Sequence, residues 1–379
     1  MAARKLGWLL RFLTSAHGLL TIVASAAAGL AVGVLPNLAQ AVPGVGDRWW
    51  WLALVAIGAL VVFAVCATLL HGKEGVGIVL LVGESGWDTT RLSAMRKNAL
   101  QRHASCFTVN VSELLGQYGP GIQNQPDTAP DRVGFAQRVM QARMLEEGQT
   151  PEQVSLYVTA RHADAYRLGG LLRDQRHTSL SLMMFSREQG VGIVEALRLH
   201  SGLTGAPDTA DLELLRGVLA RDPESEGPEW VVFAPPGGAV AGRVAVVLPM
   251  AGHNAGMREE ALAAARDGRS ETYRFPSRLD GTGSDRCVGA LVFATRPGNV
   301  PDRREVYEAL IRYVNYHWQQ KLSEVRASGD ASLRGWLFTD GPVEVVLAMG
   351  SVLGRQTDLV PWGPPHTADG PGARMGGDR

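Results

Sequence analysis

Two long uncharged runs occupy most of the first 74 residues, at positions 12–35 and 49–70, and they limit what the chain can become. As a helix rising ~1.5 Å per residue, the first run reaches ~36 Å, more than the ~30 Å hydrocarbon core of a bilayer. The second opens with Trp49, Trp50 and Trp51, whose amphipathic rings favour a membrane-water boundary. The join at 36–48 is too short for a domain. The expectation is therefore a two-helix transmembrane hairpin, spans about 12–35 and 49–70, with both chain ends on one side. A signal peptide competes for the first run, because Arg4 and Lys5 precede it, but the run is long and a second follows at once.

Charge sets the orientation. Arg4, Lys5 and Arg11 precede the first run and Lys73, Arg91, Arg96 and Lys97 follow the second, whereas the join carries Arg48. The positive-inside rule then places both termini, and everything after residue 74, in the cytoplasm. Over the whole chain 37 basic residues balance 37 acidic ones; five of the former and two of the latter lie in 1–74, so that section carries +3 and the rest −3. Such a balance lacks the basic stripe of a duplex nucleic-acid binder. Three cysteines, Cys66, Cys106 and Cys287, form no C-x-x-C pair and read as structural thiols in a reducing compartment.

Within the first run His17, Thr21, Ser25, Gly29 and Gly33 recur at four-residue steps, a small or polar stripe that lets helix backbones approach. Thr21, Ser25, Gly29 and Gly33 are the helix-packing candidates. Two readings stay open: the stripe packs the hairpin against itself, or it joins copies of the chain.

After Gly75 short apolar runs alternate with amphipathic segments, the pattern of an α/β unit with a mostly parallel sheet. Strands are expected at 76–82, 106–111, 154–159 and 180–185, helices at 132–147 and 164–174, and a loop at 116–131. The pattern returns with strands at 243–248, 271–275, 290–294, 335–338 and 358–362, and helices ending at 265, spanning 301–327 and spanning 343–353. On the 301–327 helix Tyr307, Leu310, Ile311, Val314, Trp318, Leu322 and Val325 share one face.

Sliding the halves past each other by 181 positions brings Leu156-Tyr157 onto Leu337-Phe338, Gly169 onto Gly350 and Leu172 onto Leu353. Glycine inside a helix costs ~1 kcal/mol against Ala, so its reuse at equivalent positions predicts close helix packing. Chance similarity of two α/β segments is the alternative. Paired lobes create a pseudo-symmetric cleft, and in open α/β sheets ligands bind beyond the C-terminal strand ends, at turns and helix N-termini. Those turns offer Ser85, Trp87, Arg161, His162, His253, Asn254, Asp340 and Gly341. Trp or His can stack on a base, Arg pair a phosphate, and Asn or Asp read a base edge. Each has a plainer use: Ser85, Asn254 and Asp340 as helix caps, Arg161 as a solvated turn. The chain has no phosphate-binding P-loop, no G-x-G-x-x-G, no H-E-x-x-H and no G-x-S-x-G, and its nine His show no metal-ligand spacing. No catalytic residue, metal or cofactor is expected.

The stretch from Gly335 to Pro364 resembles the closing pattern of SAVED domains: an apolar strand, a Gly-Pro turn, a small-residue helix with a glycine and a last strand ending in an aromatic, carried by Phe338, Gly341-Pro342, Gly350 and Trp362. The resemblance covers about residues 75–364. It implies two fused CARF-like, Rossmann-like lobes and the binding of a cyclic di-, tri- or tetranucleotide, made by a partner nucleotidyltransferase in the antiphage systems called CBASS. Members of this family often have a hydroxyl residue after the first strand of the second lobe; here Pro249-Met250 stands there.

The expected layout is thus a membrane anchor at 1–74, a first lobe at 75–186, a connecting segment at 187–242, a second lobe at 243–364 and a disordered Gly/Pro/Asp-rich tail at 365–379. The expected activity is that of a sensor whose ligand drives homo-oligomerisation and disruption of the lipid bilayer. Two rivals stand beside it: an anchored CARF-like phosphodiesterase using His162 or His253 as acid or base, and a tethered interaction protein with no nucleotide ligand.

Overall fold

The computed structural model describes residues 23–29, 32–33, 49–71, 75–82, 89–117, 131–146, 154–173, 180–186, 188, 192–233, 243–276, 285–327 and 334–363. It divides into two compact units, 1–75 with 100–105, and 76–99 with 106–379. Of the loop expected at 116–131, residues 116–117 end a helix and 118–130 lie outside the described residues, as do the join at 36–48, the tail at 365–379 and Thr21, Ser85 and Trp87.

In the first unit, residues 23–29 and 32–33 are helical and α1 runs over Trp49–His71. Among the residues whose side chains are described, no helix is long and apolar enough to cross a membrane. The transmembrane hairpin expected at 12–35 and 49–70 is thus not shown. The full 23 positions of α1 hold no Asp, Glu, Lys or Arg and extend ~34 Å at helical rise. Leu54, Ile57, Leu60, Val61, Phe63 and Val65 are all exposed, so apolar residues point outward around the helix rather than along one stripe. In the 23–29 segment the buried side chains are Ala24 and Ala27, whereas Ser25, Gly29 and Gly33 are exposed, and a Cβ built on either glycine meets nothing within 4 Å. Ser25, Gly29 and Gly33 thus lie on the exposed side of the described segment, which leaves both readings of the stripe open.

The second unit is built on two five-stranded sheets. The first uses β1 (Val76–Leu81), β2 (Ser105–Asn110), β3 (Val154–Thr159), β4 (Leu180–Phe185) and β5 (Ile193–Leu199), ordered β2-β1-β3-β4-β5. Here β1, β3 and β4 are parallel and β5 is antiparallel to β4. Its helices are α2 (Thr89–Arg102), α3 (Val111–Gln117), α4 (Arg132–Glu146) and α5 (His162–Leu171); α6 (Thr209–Arg216) precedes the second sheet. That sheet uses β6 (Glu229–Val232), β7 (Arg243–Leu248), β8 (Gly289–Val292), β9 (Arg334–Thr339) and β10 (Thr357–Leu359), ordered β10-β9-β7-β8-β6, with α7 (Met257–Asp267), α8 (Arg304–Ala327) and α9 (Val343–Leu353). Strands β8, β7, β9 and β10 are parallel, and β6 is antiparallel to β8.

Matching β1, β2, β3 and β4 to β7, β8, β9 and β10 gives one strand order, second-first-third-fourth, in both lobes. The alignment at offset 181 is thus a structural repeat. Ile78 pairs with Leu156 and Val246 with Leu337, so the aligned leucines sit opposite equivalent buried positions of the first strand. Continuous apolar, buried runs such as VGIVLL at 76–81 and VAVVL at 244–248 suit strands covered on both faces.

The glycines do what their reuse predicts. A Cβ on Gly169 would lie 1.8 Å from the Leu347 carbonyl oxygen, and one on Gly350 2.0 Å from that of Tyr166. Positions 166 and 347, like 169 and 350, are 181 apart, so α5 and α9 cross about a pseudo-twofold axis with each glycine against the other helix's backbone. Around the crossing the Tyr166 hydroxyl bonds Thr357, and Arg173 Nε donates to the Ser351 carbonyl at 3.1 Å.

Several elements depart from expectation. Segment 187–242 supplies both antiparallel edge strands, β5 and β6, and α6, which carries a capping box between Asp208 and Asp211. The strand expected at 271–275 is a single bridge from Tyr273 to Trp362, flanked by Arg274 N donating to Pro361 O and Gly363 N donating to Thr272 O. β10 ends at Leu359 rather than 362, since Pro361 has no N–H for a ladder. α8 begins at Arg304, not 301, because the Asp302 carboxylate turns aside to accept from the Tyr307 hydroxyl at 2.6 Å.

Candidate functional site at the paired strand ends

In an order of second-first-third-fourth, the connections leaving the first and third strands diverge, which opens a crevice at their C-terminal ends. In the second lobe that point lies between the turns after β7 and β9. Asp340 spans it: one oxygen, Oδ1, accepts from Met250 N at 2.6 Å and from Ala251 N at 3.1 Å. Its use is thus to clip two turns together, and it is not the cap of α9, whose N-cap is Pro342. Beside it Gly341 leaves no room for a side chain, since a Cβ there would stand 2.4 Å from Met250 Sδ. Met250 is fully buried, so the position where a hydroxyl residue was expected serves through its backbone. The Pro249 carbonyl accepts from Thr295 Oγ1 at 2.9 Å.

His253 and Asn254 follow in the same turn, the first exposed and the second half-buried. Asn254 uses its backbone, donating to Ala251 O and accepting from Met257 N, and its side chain does not cap α7, whose N-cap is Gly256. The turn is held from the other side by Gly252 N, which donates to Asn299 Oδ1 at 2.9 Å.

The first lobe brings its equivalent turn to the same place. Arg161 is the N-cap of α5, exposed, with no side-chain capping bond. His162 follows at the helix start, within reach of the second lobe: burial holds its imidazole below the usual histidine range, partly opposed by the Asp340 carboxylate and by a hydrogen bond to the Gly341 backbone. The two third-strand turns therefore touch across the pseudo-twofold, one offering Arg161 and His162 and the other Asp340 and Gly341. Ser85 and Trp87 lie outside the described residues, so of the eight candidates six are placed, on two turns of one lobe and one of the other.

A second cluster went unforeseen. Glu344, in the first turn of α9, is buried, and burial raises its carboxyl to about 7, with the Arg91 charge lowering it and that of Asp302 raising it. Arg91 of α2 stacks over the Phe185 ring at 5.1 Å, and Asp302 also accepts from Ser186 Oγ at 3.4 Å. The sequence offered only a glutamate near a helix N-terminus, a common exposed placement. Among the described residues no group of His, Cys, Asp and Glu is arranged to hold a metal ion.

No family model matches the sequence, and no curated protein matches it. Solved structures do match. The Acinetobacter baumannii Cap4 SAVED/CARF-domain containing receptor, with the cyclic trinucleotide 3'3'3'-cAAA, is 13% identical with a TM-score of 0.37, covering 81% of this chain and 52% of that one. The same receptor with 2'3'3'-cAAA is 12% identical with a TM-score of 0.37, covering 81% and 51%. The Moraxella osloensis Cap4 SAVED/CARF-domain containing receptor is 12% identical with a TM-score of 0.32, covering 81% and 50%. This chain thus spans about half the length of the solved structures it matches.

Proposed function

We propose that this chain is a SAVED-like receptor for a cyclic oligonucleotide, anchored in a membrane. The observation that carries the proposal is the close crossing of α5 and α9, the helices that follow the equivalent third strands of two same-order lobes, which brings the turn of Arg161 and His162 beside that of Asp340 and Gly341. A ligand built of repeated nucleotide units suits a receptor built of repeated nucleotide-binding crevices. Zero net charge favours a compact ligand held by local groups over a long duplex. Arg161 then faces phosphate, His162 and His253 stack or bond to a base, and Asn254 reads a base edge. Ser85, Trp87 and Gly341 complete the proposed set.

The uncharged α1, with apolar side chains exposed around it, supports insertion into a bilayer. In the proposed mechanism the ligand promotes association of the two-lobed units, which gathers their anchors and opens the membrane. Tethering raises the effective concentration of these units, so modest ligand-induced contacts suffice. A nucleotidyltransferase that makes the ligand is the expected functional partner. Purified protein in dye-loaded liposomes is expected to release dye only with the correct cyclic nucleotide, which is recovered intact. Release that ignores nucleotide contradicts the mechanism, and cleavage of the nucleotide favours a phosphodiesterase.

A further inference from the structure

The far face of the second sheet, the one covered by α7, carries Trp362 and Tyr273, which the turns described above do not include, beside Asp340, which they do. Trp362 is 62% exposed, whereas Trp318, Trp336 and Phe338 in the same lobe are almost completely buried. It stands directly opposite Tyr273 in an antiparallel bridge, which sets the two side chains next to each other on one face. Tyr273 meets the Phe338 ring edge-on at 5.1 Å. β10 runs parallel to β9 with Leu359 beside Leu337, so the chain past β10 carries Trp362 to the level of Asp340, the residue just after β9.

Two polar atoms here are buried without a hydrogen-bond partner in the protein: the Tyr273 hydroxyl, on a residue 4% exposed, and Asp340 Oδ2. The other Asp340 oxygen is committed to Met250 N and Ala251 N. Burial, with the nearby Glu260 and Asp340 charges, keeps the Tyr273 phenol protonated and hence a donor. A donor and an acceptor are thus both shielded from water and both unpaired among the described residues, an arrangement that folding alone disfavours.

We propose that Trp362, Tyr273 and Asp340 form a nucleobase subsite, in which the indole stacks on the base while Asp340 Oδ2 accepts from, and the Tyr273 hydroxyl donates to, the base edge. The subsite rests on the cyclic-oligonucleotide reading above and extends it beyond the β7–α7 turn. Nucleobase edges commonly present a donor beside an acceptor, which is the complement of this pair. The edge reaches the two atoms only when surrounding side chains give way, and pairing them is what binding gains.

The test uses the full chain in detergent, titrated with cyclic di-, tri- and tetranucleotides that include 3'3'3'-cAAA and 2'3'3'-cAAA. Trp362→Ala is expected to weaken binding about tenfold or more, from the loss of stacking. Tyr273→Phe keeps the ring that packs on Phe338, and should weaken binding roughly fivefold while leaving the melting temperature of the protein alone equal or higher. A purely structural role would instead lower that temperature and leave affinity unchanged. Wild-type affinity in both variants overturns the subsite alone. A wild-type chain that binds no member of the panel overturns the sensor reading, and the subsite with it.

Discussion

Asp340 and Glu344 stand four residues apart; Glu344 is buried, whereas Asp340 is half-buried with one carboxylate oxygen shielded from water. Asp340 accepts two backbone N–H groups through one oxygen, so Asp340→Ala should orphan Met250 N and Ala251 N and cost about 2–4 kcal/mol, read as a drop in the denaturant midpoint. Asp340→Asn, which keeps an acceptor, should cost less. Glu344 titrates at about 7 when folded, against an ordinary value of 4.5. A carboxyl with a raised folded value contributes most stability below 4.5 and loses it as pH climbs through 7. The difference in unfolding free energy between wild type and Glu344→Gln should therefore move by roughly 3 kcal/mol in the variant's favour from pH 4 to pH 8. His317 works the other way. Packed against Tyr313 at 4.4 Å and lowered to about 4, it adds stability above its ordinary 6.5 that disappears as pH falls toward 4. None of these burials was legible in the sequence, because whether a charged side chain near a helix start faces water is decided by what packs over it. Asp340 itself could be picked out from its place in the turn, though not its clip across the crevice.

At the scale of elements the crossing of α5 and α9 gives the sharpest expectation. Gly169→Ala or Gly350→Ala drives a methyl into a facing carbonyl, at 1.8 and 2.0 Å, and each should cost more than about 3 kcal/mol or prevent folding. Gly170, one position away, has its nearest neighbour at 3.8 Å, so Gly170→Ala should be neutral or gain up to ~1 kcal/mol. Thermal melts of the three variants separate the two outcomes. This crossing could be anticipated from sequence because helical glycines are costly and their spacing repeated. The edge strands could not. β5 places Glu195 and Arg198 among its apolar residues, where Glu195 accepts from Ser181 Oγ at 2.8 Å and pairs with Arg198, and β6 is four residues long. Short or charged edges resist unwanted pairing, and for the same reason leave little period-two signal. The stripe of Ser25, Gly29 and Gly33 followed the expected spacing, yet it lies on the exposed side of its segment, with Ala24 and Ala27 buried instead.

The whole chain joins an apolar, positively flanked unit to a slightly acidic two-lobed one. Residues 1–74 carry +3 and the rest −3, which together give the net charge of zero. Two lobes with one strand order, fused through α5 and α9, bring equivalent strand ends together, and any repeated ligand bound there is read by unequal groups: Arg161 and His162 from one side, Asp340 and the β7–α7 turn from the other. On the proposed function, a cyclic oligonucleotide binds at this place. The direct measurement is the melting temperature of the full chain against cyclic di-, tri- and tetranucleotides, with linear nucleotides of the same sequence as controls. A ligand at a hundred times its dissociation constant stabilises by about 2.7 kcal/mol. At least one cyclic member should therefore raise the melting temperature by several degrees where its linear form does not. A melting temperature unmoved by every cyclic member would contradict the account.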